Sequence, residues 1–145
     1  MDETGFRIGC LHCKIVITHV NTKAVYLADP DVQDWNTTVE TISAGGFIIP
    51  AMIILADSIM LEKHFDNDLK DDTLMAITSS GYSNNLIRME YIWHFNRMTR
   101  NRTKGKYRML IFDGHGSHIL DDFTWFCWEN CIIPFRLPAH STHLL

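Results

Sequence analysis

The chain has 145 residues, a formal net charge of -4, 46% hydrophobic and 21% charged residues, an ordinary globular composition that excludes a low-complexity or fibrous chain. That length fits one domain with a real hydrophobic core. The longest apolar run, "FIIPAMIILA" at 47–56, contains Pro50 and stops at Asp57, well short of the roughly 20 residues a membrane helix needs. Asp2 and Glu3 stand where a secretory signal would carry basic residues, so the chain reads as soluble and intracellular.

In chain order, "KIVITHV" at 14–20 is β-branched and strand-like. Residues 21–36, with Pro30 and Asp29, Asp31 and Asp34, read as loop. "TTVETIS" at 37–43 alternates with period two, as a half-buried strand does. Gly45-Gly46 supplies a turn, and 47–55 returns as a buried strand in which Pro50 predicts an irregularity, so 37–55 is a hairpin. Residues 57–72 hold six acids against Lys63 and Lys70, with a short helix expected at 59–65. "LMAI" at 74–77 is a short strand.

Ser83 is the expected N-cap of a helix. Its Leu86, Met89, Trp93, Ile92 and Phe95 recur at helical spacing and are expected in the core, and it should end near Arg100. "KYRMLIF" at 106–112 is a strand that ends at Asp113. Asp121 and Asp122 favour the start of a second helix, and "IIPFRL" at 132–137 is a last strand stopped by Pro138. The final strand, helix and strand should form a right-handed parallel crossover. Antiparallel strands followed by parallel ones predict an α/β fold with a mixed sheet and helices on it.

Chemistry concentrates at "MLIFDGHGSH", residues 109–118. Functional groups of open α/β sheets collect at the carboxyl ends of parallel strands, where Asp113 stands, and Gly114 and Gly116 open the backbone there. Asp113 either caps an Asp-Gly turn or is held for chemistry. "MDETGF" offers a second carboxylate ahead of a glycine. If the strand carrying Asp2 lies beside the one carrying Asp113, the two carboxylates meet and repel unless a cation neutralises them. Mg²⁺ suits one or two carboxylates completed by waters and substrate phosphates.

Cys10-x-x-Cys13 and Cys127-x-x-x-Cys131 have short spacings that zinc uses, but the second pair lies in the apolar "FTWFCWENC" and reads as a buried helix face. His115, His118, His140 and His143 form two further pairs, read as loop hydrogen-bonding groups or as zinc ligands. Six of the thirteen basic residues fall within 97–108 with no acid among them. Such a stripe is a solvated loop or a phosphate-contacting one.

"MDETGFRIG", "SNNLIRMEYIWHFNRMTRNRTKGKYRMLIFDGHGSH" and "LPAHSTHLL" resemble the DDE-type transposases of the pogo/Tc1-mariner group, and more closely the fungal pogo-like, centromere-protein-B and jerky relatives. The resemblance implies a ribonuclease-H-like fold, two-metal phosphodiester chemistry on DNA with Mg²⁺ or Mn²⁺, a nuclear location, and room for a homodimer in the full-length protein. It assigns Asp2 and Asp113 as catalytic, metal-binding carboxylates, and expects a third aspartate in a "QPLD"-like string after "HSTHLL". Arg102, Lys104, Lys106, Arg108 and His118 are the candidate nucleic-acid contacts. By the same resemblance, residues 1–145 are expected to form a single partial domain without a separate DNA-binding domain. The first strand, central in that fold, should be almost absent and the C-terminal part missing, leaving little or no catalysis. The alternative is a non-catalytic nucleic-acid-binding or interaction module derived from a transposable element.

Overall fold

A computed structural model of the chain describes residues 1–8, 34–66, 68–113 and 121–138. The elements are β1 (Asp2–Ile8), β2 (Asp34–Glu40), β3 (Met52–Ala56), β4 (Leu74–Thr78), α1 (Asn85–Thr99), β5 (Arg108–Phe112), α2 (Asp121–Glu129) and β6 (Ile132–Arg136). Four strands form one sheet in the order β1-β2-β3-β4, and β5 pairs with β6 in a second. β1 with β2 and β2 with β3 are antiparallel, whereas β3 with β4 and β5 with β6 are parallel. The chain therefore folds as a mixed α/β unit, consistent with a ribonuclease-H-like arrangement. The strand expected at 14–20 lies outside the described residues.

The expected hairpin forms, with Gly46 at a φ of 79° in its turn. That left-handed backbone suits glycine. Ser43 Oγ accepts from the Phe47 amide at 3.0 Å and closes the same turn. The returning strand is shorter than expected and begins at Met52. Pro50 has no amide to give a ladder, and its carbonyl turns to the buried His94, whose Nε2–H donates to it at 2.8 Å. β2 instead begins earlier than expected. Asp34, Trp35 and Asn36 belong to it rather than to the preceding loop. Asn36 is buried because its Oδ1 accepts the Ala56 amide at 2.9 Å.

The first strand, expected to be almost absent, runs for seven residues, and its register with β2 extends from Asp2↔Glu40 to Ile8↔Asp34. Between β3 and β4 the expected helix is a single 3-10 turn at Glu62–His64.

α1 ends at its Arg100 cap, as the sequence predicts, but its N-cap is Asn84, whose side chain accepts from the Ile87 amide at 3.0 Å. Ser83 Oγ instead donates to Glu3 Oε2 at 2.7 Å. The buried face is Ile87, Tyr91, Ile92, His94 and Phe95. Leu86 and Trp93, expected in the core, are 75% and 53% exposed. Apolar residues flank both sides of this helix, so periodicity alone misplaces its inner face by one residue. The core joins this face to Val39, Met52 and Ile54 of the large sheet and to Leu110, Cys127 and Ile132 of the smaller unit.

Two backbone positions generate predictions. Gly81 has a φ of 71°, and a Cβ there would lie 1.6 Å from the Trp35 carbonyl oxygen. Gly81→Ala is expected to cost more than about 3 kcal/mol, measured as a lower urea midpoint. Cys131 adopts a φ of 55° just after α2, a position where glycine is favoured. Cys131→Gly should raise stability by about 1 kcal/mol in the same assay.

Candidate functional site

The site begins with one bond between the sheets. The Met1 ammonium donates to the Ile111 carbonyl at 2.9 Å. Along β5, the Arg108 amide reaches Cys131 O and the Phe112 carbonyl receives the Leu137 amide, so those residues turn toward β6. By alternation Met109 and Ile111 turn the other way, toward β1.

Residues 108–111 line a cavity with 41–45, which lies beyond the Met1 end of β1. β5 therefore climbs from that end toward Met1, in the direction of β1. The Met1–Ile111 bond brings the start of β1 beside β5, which ends one residue before Asp113. Asp2 is exposed and Asp113 is half-buried at the strand end. Glu3 falls on the opposite face and is taken up by Ser83. Burial lowers the pKa of the Met1 amine, and the nearby Asp2 charge opposes that shift.

Chemically, carboxylates such as those of Asp2 and Asp113 are hard oxygen donors. That donor set fits Mg²⁺ or Mn²⁺, which take one or two protein carboxylates and leave their other positions to water and phosphate. Among the described residues, no group of three or more His, Cys, Asp or Glu side chains is placed to hold a metal. His115, His118, His140, His143, Cys10 and Cys13 lie outside the described residues.

The basic stripe divides by role. Arg108 turns inward. Its guanidinium donates to Asn96 O at 3.3 Å, Thr99 Oγ1 at 2.9 Å, Asn96 Oδ1 at 2.7 Å and Asn130 O at 2.7 Å. Those four bonds tie the end of α1 to the turn between α2 and β6, and they occupy the donors that a phosphate contact would need. Arg102 lies with its Cζ 3.5 Å from the ring centroid of Phe47. Lys104 and Lys106 are exposed, and Lys106 Nζ sits 5.1 Å from the Tyr107 ring centroid. Cys127 is fully buried and Cys131 partly so, both as free thiols.

Sequence reasoning missed His94 and Arg108 as structural hubs. Arg97 Nη2 donates to His94 Nδ1 at 3.2 Å while Nε2–H holds Pro50. The i,i+3 spacing of His94 and Arg97 was the available signal, but nothing local marked the Pro50 carbonyl as their target.

Arg108→Met should destabilise the fold by about 2–3 kcal/mol, because it strands the Asn130 carbonyl and Asn96 Oδ1, whereas Lys104→Ala should stay within about 0.5 kcal/mol. Chemical denaturation separates the two. Burial pushes the Cys127 thiol from 9.0 to about 11 and the Tyr91 phenol from 10.0 to about 12. The unfolded chain releases these protons first as pH rises, so stability is full below pH 9 and declines as pH climbs through 9–12. Denaturation midpoints across that range should fall, and Tyr91→Phe should flatten the upper part of the fall.

The family description that matches this chain is DDE superfamily endonuclease, over residues 32–145. A curated protein of Cochliobolus lunatus, described as MFS-type transporter clz9, is 32% identical over 145 residues, covering 99% of this chain and 16% of that protein. Among the described residues, no helix is long and apolar enough to cross a membrane. No solved structure matches the chain. With the family match covering most of its length, this chain belongs to the DDE superfamily endonucleases.

Proposed function

We propose that this chain is part of the catalytic domain of a DDE-type transposase of the pogo/Tc1-mariner group, which cuts and joins DNA phosphodiesters in the nucleus. The observation that supports this reading is the Met1–Ile111 bond, which brings the start of β1 beside β5, the strand that ends just before Asp113. In this reading the two carboxylates hold Mg²⁺ or Mn²⁺ with the DNA phosphate. The bound metal would neutralise charge on the phosphodiester and ease deprotonation of the attacking hydroxyl or water. The protein's own part is positional. β1 holds Asp2 in its ladder to β2, and β5, held by its ladder to β6, ends at the residue before Asp113. Lys104 and Lys106, exposed on the loop that leads into β5, would steer the DNA backbone by charge, without reading sequence.

Mn²⁺ added to the purified chain should broaden the amide resonances of Asp2, Glu3 and Asp113 in a nuclear magnetic resonance titration. Asp113→Asn should weaken that effect by about tenfold, consistent with loss of one charged ligand. Broadening that persists in the double variant Asp2→Asn, Asp113→Asn would remove both residues from the metal site. In the full-length polypeptide, Asp113→Ala should abolish metal-dependent nicking of supercoiled DNA.

A second reading is a nucleic-acid-binding module without catalysis, and the exposed lysines favour it. It predicts salt-sensitive DNA binding that survives EDTA and Asp113→Ala, and that weakens in Lys104→Ala, Lys106→Ala.

A further inference from the structure

The loop between α1 and β5, residues 100–107, carries a hydroxyl that neither the metal nor the DNA reading uses. Its sequence begins Arg100-Asn101-Arg102-Thr103-Lys104-Gly105-Lys106. Thr103 has an arginine three positions before it, another directly before it, and a lysine directly after it. No other serine or threonine of the chain has basic residues at both of those preceding positions. Arg100, Arg102, Lys104 and Lys106 are exposed, and Thr103 among them is half-buried.

The Thr103 hydroxyl is lightly held. Its Oγ1 donates to Thr99 O at 3.2 Å, and the Arg102 amide donates to the same carbonyl at 3.0 Å. Swinging Thr103 outward therefore leaves that carbonyl with a partner. Thr99 is the contrast. Its hydroxyl donates to Phe95 O at 2.7 Å and accepts from Arg108 Nη1 at 2.9 Å, inside the last turn of α1. Three positions before it stands Asn96, not a cation.

We propose that Thr103 is a phosphorylation site, modified by a protein kinase with an acidic substrate groove, and that its phosphate switches off the attraction of this loop for DNA. Kinases select substrates by charge pattern, and two arginines ahead of a loop hydroxyl are complementary to such a groove. In the transfer, Thr103 Oγ1 attacks the γ-phosphorus of a nucleoside triphosphate. Its proton passes to a base of the kinase, and the bond to the β-phosphate oxygen breaks to release the nucleoside diphosphate.

The modified loop differs in two ways. A phosphorylated Oγ1 has no proton to give Thr99 O, and the negative end of α1 repels the new charge. The phosphate is thereby driven off the helix end and onto the loop's own cations. It carries about -2 against the positive charges of Arg100, Arg102, Lys104 and Lys106, so about half of the local charge is cancelled. The acceptor assignment uses neither carboxylate and stands apart from the DNA reading; the switch rests on that reading.

The test incubates the intact chain with ATP and the catalytic subunit of cyclic-AMP-dependent protein kinase, maps the phosphate by mass spectrometry, and titrates a short DNA duplex at low salt. Phosphate is expected on Thr103. Thr103→Ala should abolish it, Thr103→Ser should keep it, and Arg100→Ala should slow it by about tenfold, the loss of one charge-assisted contact to the kinase. The phosphorylated chain should bind the duplex about tenfold more weakly than the unmodified one, with a shallower salt dependence. An unmodified Thr103, phosphate on Thr99 instead, or an unchanged rate in Arg100→Ala would overturn the acceptor assignment. Equal binding before and after modification would overturn the switch alone. A chain that fails to bind DNA before modification would overturn the switch and the DNA reading together.

Discussion

The placement of β5 depends on a single guanidinium. Arg108 reaches the last turn of α1 through Asn96 and Thr99, and the turn after α2 through the Asn130 carbonyl. Helix ends leave carbonyls without partners, and here one side chain serves the Asn130 carbonyl after α2 and adds a bond to the Asn96 carbonyl that the Arg100 amide already reaches. The ladder to β6 and the buried Leu110 hold the same strand. β5 carries Met109 and Ile111 along the cavity that residues 41–45 also line, and Asp113 follows its last residue. A charge-assisted donor suits the task, because a neutral side chain could not serve four acceptors at once.

Much of the framework was legible in the sequence because local chemistry dictated it. The period-two run ahead of Gly45-Gly46 gave the hairpin, "LMAI" gave β4, and the apolar run ending at Asp113 gave β5 with its parallel crossover to β6. The helix boundary at Arg100 followed from composition in the same way. The inner face of α1 did not, because Leu86, Ile87, Ile92 and Trp93 surround the helix with apolar residues. Tertiary contacts chose Ile87 and Tyr91 over Leu86 and Trp93.

The site shows the same division. Asp2 and Asp113 drew notice as carboxylates ahead of glycines, but the contact that brings the start of β1 beside β5 is a bond between residues 110 positions apart. Arg108 and Lys104 look alike in sequence, two positive charges in one stripe. The partners that separate them are Asn96 and Thr99 at the end of α1 and the Asn130 carbonyl after α2, which flank β5 in the chain. Ser83 and Asn84 are equivalent as caps by residue type, and Glu3 decides between them by taking the Ser83 hydroxyl.

The seam between the sheets has a mechanical consequence. Asp2 belongs to one hydrogen-bonded body and Asp113 to another, and the main-chain link recorded between β1 and β5 is the Met1–Ile111 bond. A ligand grasped by both carboxylates would act as a rivet across that seam. Its affinity and the stiffness of the seam are then reciprocally coupled: whatever tightens the joint strengthens the grip, and the grip tightens the joint by the same free energy.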